Sequence, residues 1–173
     1  SLFVNVGERT NVTGSARFSG LPAAASGFQT DYFADGCSGC TLPADAYISV
    51  FDAGLTTVSR STYFGMNESQ TGWQIAVGTD GLVFIAGTTE DISGNNLQGQ
   101  SSIPLSGEFD STLSGSEDVF VAAFDTSLGS LLGSSYLGGD ALGNFLESEY
   151  VTELLATQDG SVIIAGATTS PSF

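Results

Sequence analysis

The sequence predicts an all-β fold made of repeated four-stranded sheets, on three observations. First, the stretch Asp45 to Leu55, DAYISVFDAGL, returns 73 positions later as DVFVAAFDTSL at Asp118 to Leu128. Each copy alternates as a strand does, with Ala46, Ile48 and Val50 set against Tyr47, Ser49 and Phe51, and Val119, Val121 and Ala123 against Phe120, Ala122 and Phe124. Second, further landmarks recur in the same order. Ser61-Thr-Tyr-Phe-Gly65 returns as Ser134-Ser-Tyr-Leu-Gly138, and Asp80-Gly81 as Asp159-Gly160, the last pair 79 apart, so six residues are inserted between the second and third landmarks. Third, no long segment keeps a 3.6-residue period. Phe145 to Thr157 comes nearest, but it falls where the first unit has Thr71 to Val77, which assigns it to a bulged strand.

Taken in order, the chain reads as follows. Residues 1–10 are expected to end a preceding repeat, because Leu2-Phe-Val-Asn-Val-Gly7 aligns with Leu82 to Gly87. Residues 11–44 form a variable connection carrying Cys37-Ser-Gly-Cys40; 45–89 are a full repeat; 90–117 are a second connection; 118–168 are a second full repeat; and 169–173 are a tail. The connections exceed simple turns and are expected to be elaborated loops on one face. Leu82 to Thr89 and Ser161 to Thr168 are apolar at nearly every position, which suits strands covered on both faces. Four short strands in units of 45 and 51 residues are the signature of a β-propeller blade. The alternative all-β architecture is a self-contained β-sandwich or jelly roll.

The landmarks D-[AV]-[YF]-[IV]-x-x-F-D, S-x-Y-[FL]-G and D-G-x-[VI]-x-[IA]-A-G-x-T resemble the SBBP repeat, a β-propeller repeat of bacterial and archaeal surface and secreted proteins. The likeness covers about 45–89 and 118–168 well and 2–10 in part; the insertion at Asp140 to Glu149 and Asn5 in place of Ile depart from it. Related propellers of the NHL type begin each blade with the strand corresponding to Gly72–Val77. That resemblance implies strands b, c and d of one blade (from Leu2, Asp45 and Thr57), all of a second (Gly72 to Leu137), and strands a and b of a third (Tyr150 to Thr168).

A closed propeller takes about 4 to 8 blades, so fewer than three leave sheet faces and edges bare. Each large apolar side chain left wet forfeits about 1.5 to 3 kcal/mol. Completion is expected from further blades of a longer chain or from identical copies, closing a ring or running on as a filament. The longer chain is favoured, because a ring of identical copies would hold a surplus strand b.

The chain carries 19 acidic residues against Arg9, Arg17 and Arg60, with no Lys or His, for a formal net charge of -16. Nucleic acid and anionic membrane would be repelled. Most carboxylates are expected on a solvated surface. No apolar run approaches the roughly 18 residues that cross a bilayer as a helix. Without His, no Ser-His-Asp or Cys-His catalysis can arise within this chain.

Cys37 and Cys40 sit in a Gly/Asp loop and are expected to form a small disulfide; redox or metal work is the alternative. Calcium is the one cofactor the oxygen-rich composition admits, although no EF-hand loop is present. Asn11-Val-Thr13 and Asn67-Glu-Ser69 are glycosylation sequons that would lie on surface loops. Carboxylate neighbours such as Glu147 with Glu149 and Asp31 with Asp35 are candidates for glycoside chemistry, and they read as solvated loop charge. Tyr63 recurs as Tyr136 and so marks a packing position, Trp73 is expected in or near the core, and Tyr32 and Phe33 remain as candidate ligand contacts.

The functional expectation is a non-enzymatic extracellular or cell-surface module with a structural or adhesive role and a carbohydrate or cell-surface ligand. A filament subunit and a polysaccharide hydrolase or lyase are the alternatives.

Overall fold

The computed structural model describes residues 3–6, 9–33, 43–66, 68–90, 102–114, 116–139 and 148–172. The described residues are all-β. β1 (Phe3–Val6), β2 (Arg9–Ala16), β3 (Asp45–Asp52) and β4 (Val58–Phe64) form one four-stranded sheet; β5 (Ser69–Val77), β6 (Val83–Glu90), β7 (Glu117–Phe124) and β8 (Leu131–Leu137) form a second. β9 (Glu149–Ala156) and β10 (Val162–Thr168) pair as a hairpin. Each strand pairs antiparallel with its sequence neighbour, so each sheet is a meander of the kind expected of a propeller blade. The sheets stack in chain order, and the array does not close.

The sequence repeat is also a repeat of backbone conformation. Ser59 is the extra residue where β4 meets β3, and Leu132 is its counterpart 73 positions on, where β8 meets β7. Trp73 in β5 and Thr152 in β9, 79 apart, are likewise bulged against β6 and β10. The turns match too. Leu55 and Leu128 both take left-handed φ, at 56° and 60°, held because Asp52 and Asp125 cap the turns with backbone and carboxylate oxygens. Asp80-Gly81 and Asp159-Gly160 turn with glycine φ of 83° and 86°. The carboxylate of Asp52, accepting from Thr56 above all, is lowered to about 2.

Both faces of the middle sheet are buried. Phe120 and Phe124 face the first sheet, with ring centroids 5.3 and 5.7 Å from Phe64, among Ile48, Val50, Ile75 and Ile85. Val119, Phe84 and Ala86 face the third sheet and meet Val151 and Leu154. The near-continuous apolar runs of β6 and β7 follow from this double covering.

Three expectations need correction. The N-terminal strand is not the equivalent of β6: β1 is the first strand of its sheet, and β2 takes β6's place. Gly14 opposite Tyr47 repeats Gly87 opposite Phe120, 73 positions apart. The apolar phrase at 2–7 misled because β2 is polar by composition. Thr13 is nonetheless fully buried, its hydroxyl donating to the Tyr47 carbonyl at 2.7 Å. The first sheet is therefore complete, and the surplus strand b argued from sequence does not exist. Secondly, the connection 11–44 begins inside β2. Thirdly, Trp73 is 49% exposed, because the bulge turns it outward; its indole N–H donates to Thr88 Oγ1 at 3.0 Å.

The connections do more than loop over one face. Residues 23–29 lie along the outer edge of β4, taking the Ser61 N–H on Ala23 O at 3.1 Å and the Tyr63 N–H on Gln29 O at 3.0 Å. Residues 106–110 cover β8 the same way, through Ser134 N–H to Ser106 O and Tyr136 N–H to Asp110 O. The recurring tyrosines pin these covers: Tyr63 Oη accepts the Leu21 N–H at 2.9 Å, and Tyr136 Oη the Ser102 N–H at 2.6 Å. Two sheet edges are thereby protected from stray pairing.

Candidate functional site

The most unusual chemistry lies where consecutive sheets meet. Asp45, the first residue of β3, and Asp118, the second of β7, lie 73 positions apart, and neither has any solvent exposure. Each sits against a glycine, Gly65 or Gly138, where a Cβ would run into the carboxyl group. Asp45 Oδ2 accepts from Gln29 Nε2 and from the Phe33 N–H, both at 2.8 Å; Asp118 Oδ2 accepts the Ser114 N–H at 2.8 Å. These carboxyl groups therefore tie each connection to the start of the strand that follows it.

Neither acid has a cationic partner among its pKa-shifting neighbours. Burial pushes Asp45 up to about 7, against the lowering effect of its Phe33 and Gln29 hydrogen bonds. Burial pushes Asp118 to about 8, opposed by the Ser114 N–H and reinforced by Glu149 and Asp110. Glu149, at the start of β9, is 1% exposed, accepts from Thr168 Oγ1 at 2.7 Å, and is among the groups that raise Asp118. Asp118 Oδ1 and Glu149 Oε2 are both buried without a hydrogen-bond partner, the unmet acceptors of this junction. Glu117, beside this pair, is raised chiefly by burial and further by Glu90 and Glu149. The solvated-surface expectation thus fails for Asp45, Glu68, Asp118 and Glu149, all of them buried; for Asp45 and Asp118, whose pKa values are raised, a protonated carboxyl group can be buried at far lower cost than an ion.

Asp118 and Glu149 are both shut from solvent, which denies a sugar the access that glycoside cleavage between two carboxyl groups needs. Of the pairs considered from sequence, Glu149 belongs to this buried junction and Asp31 is exposed, while Asp35 and Glu147 lie outside the described residues. No group of three or more acidic or Cys side chains among the described residues is placed to hold a metal ion. Among the described residues no helix is long and apolar enough to cross a membrane.

The remaining site expectations divide. Tyr32 is half-buried and gives its hydroxyl to the Pro43 carbonyl at 2.5 Å, so its polar end is engaged internally. Burial raises its pKa, with Asp45 adding to the effect and Arg17 opposing it. Phe33 is 44% exposed and, with Phe28, Met66, Pro104 and Leu131, lines an open apolar groove of about 580 Å³. Asn11, expected on a surface loop, is 4% exposed within β2 opposite Val50, where a folded chain has no room for a glycan. Cys37, Cys40 and Asn67 lie outside the described residues.

The third sheet leaves several large apolar side chains bare. Leu155 and Ile163 are each 56% exposed and Tyr150 is 50% exposed, whereas the equivalents of the first two in the second sheet, Ala76 and Phe84, are each 6% exposed. A cleft of about 380 Å³ opens beside β10, lined by Val119, Leu137, Val151, Ile164 and Ala165. The sequence already implied bare sheet faces at the ends of the array, and comparison of the two sheets shows which side chains lack their neighbours. No protein-family model matches this chain, and no curated protein matches its sequence.

Proposed function

We propose that the chain is a non-enzymatic segment of a β-propeller of the SBBP type, in an extracellular or cell-surface protein with a structural or adhesive role. The unfinished third sheet is the observation that carries this reading. Its hairpin bears Leu155 and Ile163 bare on one face, whereas the second sheet buries the equivalent Ala76 and Phe84 against the sheet that follows it.

Other features support the reading. The conspicuous carboxyl pair is shut away from substrate, and the turn acids are spent on capping backbone and hydroxyl groups. An acidic surface nearly free of cations suits a medium where salt screens charge. Exposed Phe33 and its apolar groove offer a place for a sugar or peptide ring to stack.

The test is a panel of neutral and acidic glycans assayed together for retention and for turnover. Retention without cleavage, weakened by Phe33→Ala, is the expected result. Cleavage of any member would overturn the non-enzymatic reading.

A further inference from the structure

The molecule records, one repeat earlier, what belongs in the cleft beside β10. In the second sheet the corresponding edge, that of β6, pairs with β7 from Val83 opposite Phe124 to Thr89 opposite Asp118. The equivalents 79 positions on, Val162 to Thr168, have β9 on one side and no strand on the other among the described residues. The facing wall is equally unfinished. Phe64 is covered by the rings of Phe120 and Phe124, but its counterpart Leu137 is only half-buried and lines the open cleft. Ile48 and Val50 are 0% and 3% exposed under the second sheet, whereas their counterparts Val121 and Ala123 are only half-buried.

We propose that β10 and this cleft bind one antiparallel strand patterned like Asp118 to Phe124, with an acid at its first position and aromatic rings at its third and seventh. It is supplied by a further repeat unit outside these 173 residues. Its register places the second ring opposite Val162 and the acid opposite Thr168, and its rings fill the space over Leu137. A second copy of the chain does not fit the role. Both of its suitable strands are interior to their sheets, β3 between β2 and β4 and β7 between β6 and β8, with both edges already hydrogen-bonded. Donating either would break a sheet. The proposal rests on the propeller reading above and specifies its missing neighbour.

The probe is a synthetic peptide of residues 117–138, which carries the pattern and its following strand, added to the full chain below the concentration at which the peptide alone scatters light. Hydrogen exchange read by mass spectrometry should show saturable protection of 162–168, with 58–64 unchanged. A peptide with Phe120 and Phe124 replaced by Ser should bind at least tenfold more weakly. Absence of protection at β10, or equal protection by the Ser peptide, overturns the proposal. So does concentration-dependent self-association that protects β10 without peptide, since it would assign the edge to a second copy. None of these outcomes bears on glycan turnover, so the non-enzymatic reading stands or falls separately.

Discussion

Raising the pH from 5.5 to 6.5 should weaken the folded chain steeply, because two buried acids hold protons in the native state that the unfolded chain releases. Asp45 and Asp118 are raised from 3.8 to about 7 and about 8, so across that interval each is protonated when folded and ionised when unfolded. The native state binds more protons, and the sign of the linkage makes stability fall as pH rises. Each such proton contributes a slope of about 1.36 kcal/mol per pH unit, so the pair gives roughly 2.7 kcal/mol over one unit. That is a large share of a typical domain's 5 to 15 kcal/mol. The fall should begin above about pH 4 and level off above about pH 8, where both states are ionised. Urea unfolding followed by circular dichroism at constant ionic strength reads the slope. Asp118→Asn, which keeps an oxygen for the Ser114 N–H, should halve it. Asp45→Asn with Asp118→Asn should nearly abolish it. A flat wild-type profile, or a double variant as steep as wild type, would refute the protonated-acid reasoning.

Other perturbations follow from the same geometry. Gly138→Ala drives a methyl group into the Asp118 carboxyl and should cost about 1 to 3 kcal/mol, read as a lower urea midpoint with an unchanged m-value. Tyr136→Phe leaves the buried Ser102 and Ile103 N–H groups without their acceptor, costing about 1 to 3 kcal/mol, and limited proteolysis should then cut first near residues 102–114. Chain expressed in a glycosylating host should carry no glycan on Asn11, as peptide mapping by mass spectrometry would show.

How much was legible in the sequence depended on which residues faced water. β3 and β7 declared themselves through period-two apolar patterning, β6 through a near-continuous apolar run, and the turns at Asp80-Gly81 and Asp159-Gly160 through the left-handed glycine they require. β2 did not, because Thr10, Asn11 and Thr13 are buried as polar residues, and polar composition argues for loop unless partners are known. Trp73 misled in the opposite direction, since an apolar strand gives no sign of where a bulge will rotate a side chain outward. The buried acids were the hardest to foresee. A chain with three arginines invites the inference that its carboxylates are solvated, and only the packing of Gly65 and Gly138 against Asp45 and Asp118 shows that two of them are enclosed.

The two junctions between sheets differ by one functional group, and that difference is open to experiment. Gln70 and Glu149 occupy equivalent positions, 79 apart, and each contacts the equivalent threonine: Gln70 Nε2 donates to Thr89 Oγ1 at 3.1 Å, and Glu149 Oε1 accepts from Thr168 Oγ1 at 2.7 Å. The first junction thus sets an amide near its buried Asp, and the second sets a carboxyl group there. Asp118 stands higher than Asp45, and Glu149 is among the groups raising it. Glu149→Gln gives the second junction the amide of the first. Removing the neighbouring negative charge should bring Asp118 down toward the value of Asp45 while burial, its largest perturbation, stays in place. The decline of stability with pH should then level off nearer 7 than 8, leaving the variant more stable than wild type at pH 8 and little changed at pH 5.5. If the two profiles coincide across that range, the carboxyl groups do not interact, and the elevated Asp118 must be assigned to burial and Asp110.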